Sequence, residues 1–130
     1  MSLFDLLVVA HLVGDWMFQT DWMAKYKRGQ PWSAACLSHC LVYTTALLAG
    51  LGLANAAGIA TIGVVQAGGA AFFLFVTHWL IDGFALPRTW AAWVNHTDKE
   101  FVLIVVDQTM HLATLGWLAW WLAGGAMPSL

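Results

Sequence analysis

Residues 62–84, IGVVQAGGAAFFLFVTHWLIDGF, decide the fold of this chain. The segment is 23 residues long, and Asp82 is its only charged side chain. About 20 predominantly apolar residues are enough for a helix to cross a bilayer. Glycine and alanine are frequent in its first half, and small residues let helix backbones approach closely in lipid. We therefore predict a transmembrane helix that packs at the centre of a bundle.

Three other apolar segments are also predicted to be transmembrane helices. The first of them is the weakest, because it is short and contains two carboxylates and a histidine. Gly58 marks a tight turn before the segment quoted above, and Pro87 ends that segment because proline cannot continue a helix. The sequence predicts an all-α polytopic membrane protein, a single domain over residues 1–130 with a bundle of four transmembrane helices. The predicted spans are residues 3–18, 33–54, 62–84 and 101–122.

The composition of the whole chain agrees with this class. Apolar residues make up 61% and charged residues 9%, against roughly 45–50% and about 25% in soluble domains. These fractions exclude an ordinary soluble enzyme, a disordered chain and a disulfide-stapled secreted domain. A net charge of −2 with only five basic residues gives no footprint for nucleic acid. Cys36 and Cys40, four apart in an apolar run, are predicted to be free thiols.

The basic residues predict the orientation of the chain in the membrane. Lys25, Lys27 and Arg28 lie in the first loop. Arg88 and Lys99 lie in the third. The positive-inside rule places both loops in the cytoplasm and both termini outside it, for a multi-pass protein of the cell inner membrane. The first-loop cluster is interpreted as this topology signal, with binding of anionic lipid as the alternative. Membrane lipid is the expected partner, and a homo-oligomer or a larger membrane complex stays open.

Three of the four spans carry a histidine and an aspartate four residues apart. Side chains at this spacing lie on one helix face, one turn apart. The last span has the reverse order, which puts aspartate and histidine at matching depths on antiparallel helices, in the cytoplasmic half. The second span adds a further histidine. We therefore predict one buried layer formed by His11, Asp15, His39, His78, Asp82, Asp107 and His111.

Burying three carboxylates in a membrane requires compensation. One aspartate near the bilayer centre costs roughly 2.5–3.5 kcal/mol on the insertion scale, so three cost on the order of 7–10 kcal/mol. Imidazole and carboxylate are ligands that suit zinc and other first-row metals. The layer is therefore predicted to bind a divalent metal, with zinc preferred, and Gln19 and Gln108 are predicted to lie beside the ligands. A proton or ion relay and a hydrogen-bonded structural core are the alternatives.

Four motifs occur in order along the chain: AHLVGDWMFQTDWMAKYK (10–27), SHC (38–40), THWLIDGF (77–84) and DQTMHLATL (107–115). Together they resemble the bacterial and phage family called domain of unknown function 3307. The family has no established activity, so the resemblance implies the membrane architecture and the polar site but no reaction. A looser similarity is to small membrane-bound metal-dependent hydrolases, which also carry His-x-x-x-Asp pairs. The implied polar positions are His11, Asp15, Gln19, Thr20, His39, His78, Asp82, Asp107, Gln108 and His111.

Three functions are compatible with this pattern. In a metal-dependent hydrolase, zinc lowers the pKa of bound water towards 7, and Asp15 or Asp107 takes its proton. A site near the headgroups suits a lipid-like or phosphoester substrate. The second function is a metal-ion or proton carrier, which requires an oligomer and polar residues towards the outer face. The third is an accessory subunit of a membrane complex with a structural His/Asp core.

Overall fold

The computed structural model describes residues 1–125, and this part of the chain is helical without strands. The all-α prediction is confirmed. Two π-helical turns, Val13–Met17 and Ala91–Asn95, extend α1 and α5 respectively. The α-helices are α1 (Leu3–Leu12), α2 (Asp21–Tyr26), α3 (Ala34–Ala56), α4 (Val64–Gly83), α5 (Leu86–Trp90) and α6 (Glu100–Leu122).

Three helices, α3, α4 and α6, are long and apolar enough to cross a membrane. They begin and end within two residues of the predicted spans. Helix α1 is not among them, because it has 10 residues before the chain passes into the 5-residue π-helical turn. The structure thus supports three of the four predicted spans by length and composition, and a fourth is not confirmed.

Side-chain caps explain where several helices begin. The hydroxyl of Ser2 accepts a hydrogen bond from the backbone of Asp5 at the start of α1. Thr20 and Ser33 cap α2 and α3 in the same way, and each satisfies a backbone N–H that has no partner within the helix. Pro87 lies in the first turn of α5, where its fixed φ suits a helix start.

Among the long helices α3 has the most buried residues, whereas the sequence predicts that α4 packs at the centre of the bundle. Helix α3 packs against α1, α2 and α4. A Cβ on its Gly50 would lie 2.8 Å from the Cβ of Ala10, so the α1–α3 contact is close. In α4, a Cβ on Gly68 would meet nothing within 4 Å, and the side chain of Phe72 is exposed. Small residues in α4 therefore do not by themselves place it at the centre.

The packed helices enclose an apolar core and, at their opposite ends, a polar cluster that contains the predicted histidines and aspartates. Helix α6 contacts α1 and α4, which themselves contact α3. The polar cluster lies towards the ends of α1 and α4 and the starts of α3 and α6. The apolar core fills the space between the same helices towards their other ends. It consists of Leu7, Ala10, Tyr43, Leu47, Leu51, Ala70, Leu74, Leu115, Leu118 and Leu122.

Candidate functional site

Four helical segments bring the predicted side chains to one place. The π-helical turn after α1 carries Asp15, and π-helical turns often occur at functional sites. Its Gly14 lies so close to α3 that an added Cβ would stand 3.1 Å from the Cα of Tyr43. This close approach sets the Asp15 carboxylate beside α3. Of the seven predicted side chains, Asp107 is half-buried and the others are buried: His11, Asp15, His39, His78, Asp82 and His111.

Asp15, His39, His78 and Asp82 form what we call the four-residue group. The Oδ1 of Asp15 lies 3.0 Å from the Nε2 of His39 and 3.9 Å from the Nε2 of His78. The Oδ2 of Asp82 lies 3.3 Å and 3.4 Å from the same two nitrogens. Ligands at 2.0–2.1 Å from a tetrahedral metal are about 3.3–3.4 Å from one another. The four imidazole–carboxylate distances are close to this value, and all four donor atoms lie within 4.8 Å of one another, so the group could hold a metal ion.

A three-residue group, Asp15, Asp107 and His111, lies next to it, with one donor atom of each within 4.8 Å of the others. The Nε2 of His111 is 3.8 Å from Asp107 Oδ1 and 3.5 Å from Asp82 Oδ1. Asp82 thus presents one carboxylate oxygen to His111 and the other to His39 and His78. The two groups are connected through Asp15 and Asp82.

His11 belongs to neither group, although the sequence analysis places it among the metal ligands. Its Nδ1 lies 3.3 Å from the hydroxyl of Tyr43, and its Nε2 lies 3.0 Å from the Oε1 of Gln108. Both ring nitrogens are therefore engaged. The amide of Gln108 donates to Asp107 (3.2 Å) and to Asp15 (3.4 Å). Gln108 lies beside the carboxylates, the position that the sequence predicts for it.

Lys27 is the residue of the cluster that the sequence analysis missed. Its Nζ lies 2.6 Å from Asp82 Oδ2, 3.4 Å from Asp15 Oδ1 and 2.8 Å from His39 Nε2. The Lys27 side chain is 5% exposed. The chain turns back at Thr20, and α2 packs against α3. Interpreting Lys27 only as a topology signal is therefore incomplete.

A charge count was the sequence signal that could have found Lys27. Three carboxylates buried together require a cation nearby, and the basic residues nearest to Asp15 in sequence lie only ten to thirteen positions later. The pattern could not choose among them. In the structure Lys25 and Arg28 are exposed, and Lys27 is buried.

Tyr43 belongs to the apolar core, and it also supports the site. Its ring stacks on that of His78, with centroids 3.7 Å apart and an interplanar angle of 12°. Both ring nitrogens of His78 and both of His111 are buried and have no hydrogen-bond partner within residues 1–125. Buried polar atoms normally have partners. Such nitrogens therefore suit a bound ligand.

The cluster is accessible from one side. A cavity of about 280 Å³ is bordered by Asp15, Gln19, Lys27, Asp107 and Gln108, together with Trp16, Arg28 and Ile104. A smaller cavity of about 30 Å³ reaches Asp82 and Asp107. On the other side the apolar core closes the space between the helices. The free thiols Cys36 and Cys40 are buried and belong to neither group.

These observations define a class of protein: a small helical protein with three helices of membrane-spanning length around a buried His/Asp/Lys cluster. The family follows from a comparison with family models. The model described as protein of unknown function (DUF3307) matches residues 3–126, and the chain belongs to this family. The resemblance drawn from the motifs is confirmed. Comparisons with curated proteins and with solved structures found no match, so the looser similarity to hydrolases has no support from them.

Proposed function

We propose that this protein is an integral membrane metalloprotein in which Asp15, His39, His78 and Asp82 bind one divalent transition-metal ion, with zinc preferred. The observation that carries the proposal is the spacing of the four donor atoms, 3.0–3.9 Å between each imidazole and each carboxylate. Two imidazoles and two carboxylates are a ligand set that suits zinc.

The charge of the cluster supports the proposal. Asp15, Asp82 and Asp107 carry three negative charges, and Lys27 carries one positive charge. No other lysine or arginine within residues 1–125 lies within 4.0 Å of these carboxylates. With neutral imidazoles the cluster therefore has a net charge of −2. A divalent cation compensates this charge, which matters because uncompensated buried charge is costly.

Hydrolysis is the reaction that we propose for this metal, and it requires water as a fifth ligand beside the four residues, because four protein ligands alone close a tetrahedral site. Bound zinc lowers the pKa of water and polarises a carbonyl or phosphoryl oxygen. Asp107 borders both cavities and is the residue placed to take the proton, whereas Asp15 acts as a ligand. A lipid-like or phosphoester substrate fits a site that opens near the headgroups.

The two alternative functions receive less support from the geometry. A carrier needs a polar route through the protein, and the apolar core closes the side of the cluster opposite the cavities. A purely structural core needs well-formed hydrogen bonds, and within the described residues the Nε2 atoms of His78 and His111 make only contacts of 3.4–3.9 Å with carboxylates, while their Nδ1 atoms have no partner.

We propose the orientation that the basic loops indicate, with both termini outside the cytoplasm in the inner membrane, which requires residues 3–18 to form a fourth span in addition to the three long helices. Large apolar side chains on the surface of the long helices, such as Leu41, Leu53 and Phe72, suit contact with lipid. A reporter fused after Leu130 should be active outside the cytoplasm. A cytoplasmic reporter signal contradicts this orientation.

Metal analysis of the full chain, purified in detergent and resupplied with zinc, tests the proposal. We expect one equivalent in the wild type and loss of metal in His78→Ala. The control is His96→Asn, in a loop where φ is 50° and asparagine is tolerated. A folded wild type that holds no metal contradicts the proposal.

A second assay tests the reaction. Zinc-dependent cleavage of an amphiphilic phosphoester should fall about 10²–10⁴-fold in Asp107→Asn, with the metal content unchanged. The same rate in Asp107→Asn and the wild type contradicts a role for Asp107 as the base.

A further inference from the structure

The ammonium of Lys27 lies where a metal ion and its ligands would meet. It contacts three of the four donor atoms of the four-residue group, those of Asp15, His39 and Asp82. The contact with His39 is decisive. An imidazole nitrogen binds a metal only through a free lone pair, which a proton on that nitrogen or a hydrogen bond from the Lys27 ammonium would occupy. Lys27 and the metal therefore cannot use His39 Nε2 at the same time.

The structure also offers Lys27 a second position. The cavity of about 280 Å³ is bordered by both Lys27 and Asp107. Within the described residues, Asp107 has no ion pair with a lysine or an arginine. Lysine has a long flexible stem that can redirect its charged end. A rotation of this side chain can therefore exchange the carboxylate of Asp82 for that of Asp107.

We propose that Lys27 is an internal competitor for the metal and so regulates the affinity of the four-residue group. Without metal, the ammonium of Lys27 binds Asp82, His39 and Asp15 and partly neutralises them. Metal binding moves the ammonium into the cavity, towards Asp107. This inference rests on the proposed function, because it concerns the same site. It explains how the carboxylates can lie together before a metal arrives.

Zinc titration of the full chain in detergent, against a competing chelator, tests the inference. Lys27→Met removes the competing charge and keeps the apolar stem, so zinc should bind about tenfold or more tightly, since hydrogen bonds to charged groups are strong. The control is Lys25→Met, two residues earlier in the chain and exposed, which should match the wild type. Zinc affinity in Lys27→Met that is equal to or weaker than wild type overturns the inference.

Amine labelling of the wild type gives a second measurement, which does not depend on the folding of a variant. Lys27 is buried without metal, so an amine-reactive reagent should modify it slowly. Zinc should increase the labelling of Lys27 at least severalfold and leave that of Lys25 unchanged. Labelling of Lys27 that does not change while zinc binds overturns the inference.

The outcomes separate this inference from the proposed function. Equal zinc binding by the wild type and Lys27→Met overturns the inference and leaves the proposed function intact. If Lys27→Met binds zinc and the wild type does not, the result supports competition by Lys27 and contradicts metal binding by the wild type. Absence of zinc from both folded proteins overturns both.

Discussion

The apolar core and the polar cluster are built from the same helices and depend on different physics. In α3, Leu47 lies in the apolar core, and His39, two turns earlier, lies in the polar cluster. Leu47 is stabilised by close packing, to which each neighbour contributes a little. The polar cluster depends on a few charged contacts, and the loss of one leaves another charge buried and unpaired. The two regions should therefore respond differently to substitution.

The largest effect is expected at Asp82, whose carboxylate faces Lys27 and three histidines. Asp82→Asn leaves the buried ammonium of Lys27 without its nearest partner. Breaking a buried ion pair from one side costs about 3–5 kcal/mol. We expect a loss of this size in the free energy of unfolding in detergent, together with loss of zinc.

Asp98→Asn is the matched control, because Asp98 is exposed in the loop before α6. It should change neither stability nor zinc binding. If Asp82→Asn were as stable as Asp98→Asn, the polar cluster would not depend on charge compensation, and the contrast with the apolar core would be wrong.

A smaller and different effect is expected in the apolar core. Leu47 is fully buried, and Leu47→Ala should lower the free energy of unfolding by about 2–5 kcal/mol through the cavity it leaves. Zinc affinity should stay within about twofold of wild type, because no atom of Leu47 belongs to the site. Leu53, which is 64% exposed, supplies the control variant Leu53→Ala. A loss of zinc in Leu47→Ala would show that the two regions are coupled.

The sequence predicted the two regions to different extents. Helices α3, α4 and α6 follow from apolar length alone, since a bilayer fixes how many residues a span needs. The spacing of four residues correctly puts His78 and Asp82 on one helix face, and the structure brings them together with Asp15 and His39. Patterns within one helix describe its own faces well.

What the sequence could not predict depends on contacts between segments far apart in the chain. Lys27 enters the cluster because the loop after α2 packs on α4, where Trp79 Nε1 donates to the carbonyl of Pro31 at 2.8 Å. His11 does not join the ligands because its two ring nitrogens contact Tyr43 and Gln108, which lie on two other helices. Neither contact has a local signature. The burial of α3 likewise depends on all of its neighbours together.

Tyr43 lies on the boundary between the two regions and gives the finest test of the comparison. Its ring is part of the apolar core and stacks on His78, and its hydroxyl lies 3.3 Å from His11 Nδ1. Tyr43→Phe removes only the hydroxyl. We expect a loss of about 0.5–1.5 kcal/mol in the free energy of unfolding and an unchanged zinc affinity, whereas Tyr26→Phe, at an exposed tyrosine, should have no effect.

Measuring Tyr43→Leu beside Tyr43→Phe separates the contribution of the aromatic ring from that of the hydroxyl. Leucine keeps an apolar side chain in the core but cannot stack on the imidazole of His78, so the ring of this ligand loses its support. Zinc binding should therefore weaken in Tyr43→Leu and not in Tyr43→Phe. Equal weakening in both variants would mean that the hydroxyl, through His11, positions the site. The apolar core would then affect the polar cluster through the hydrogen bond between Tyr43 and His11, and not through the stacking of Tyr43 on His78.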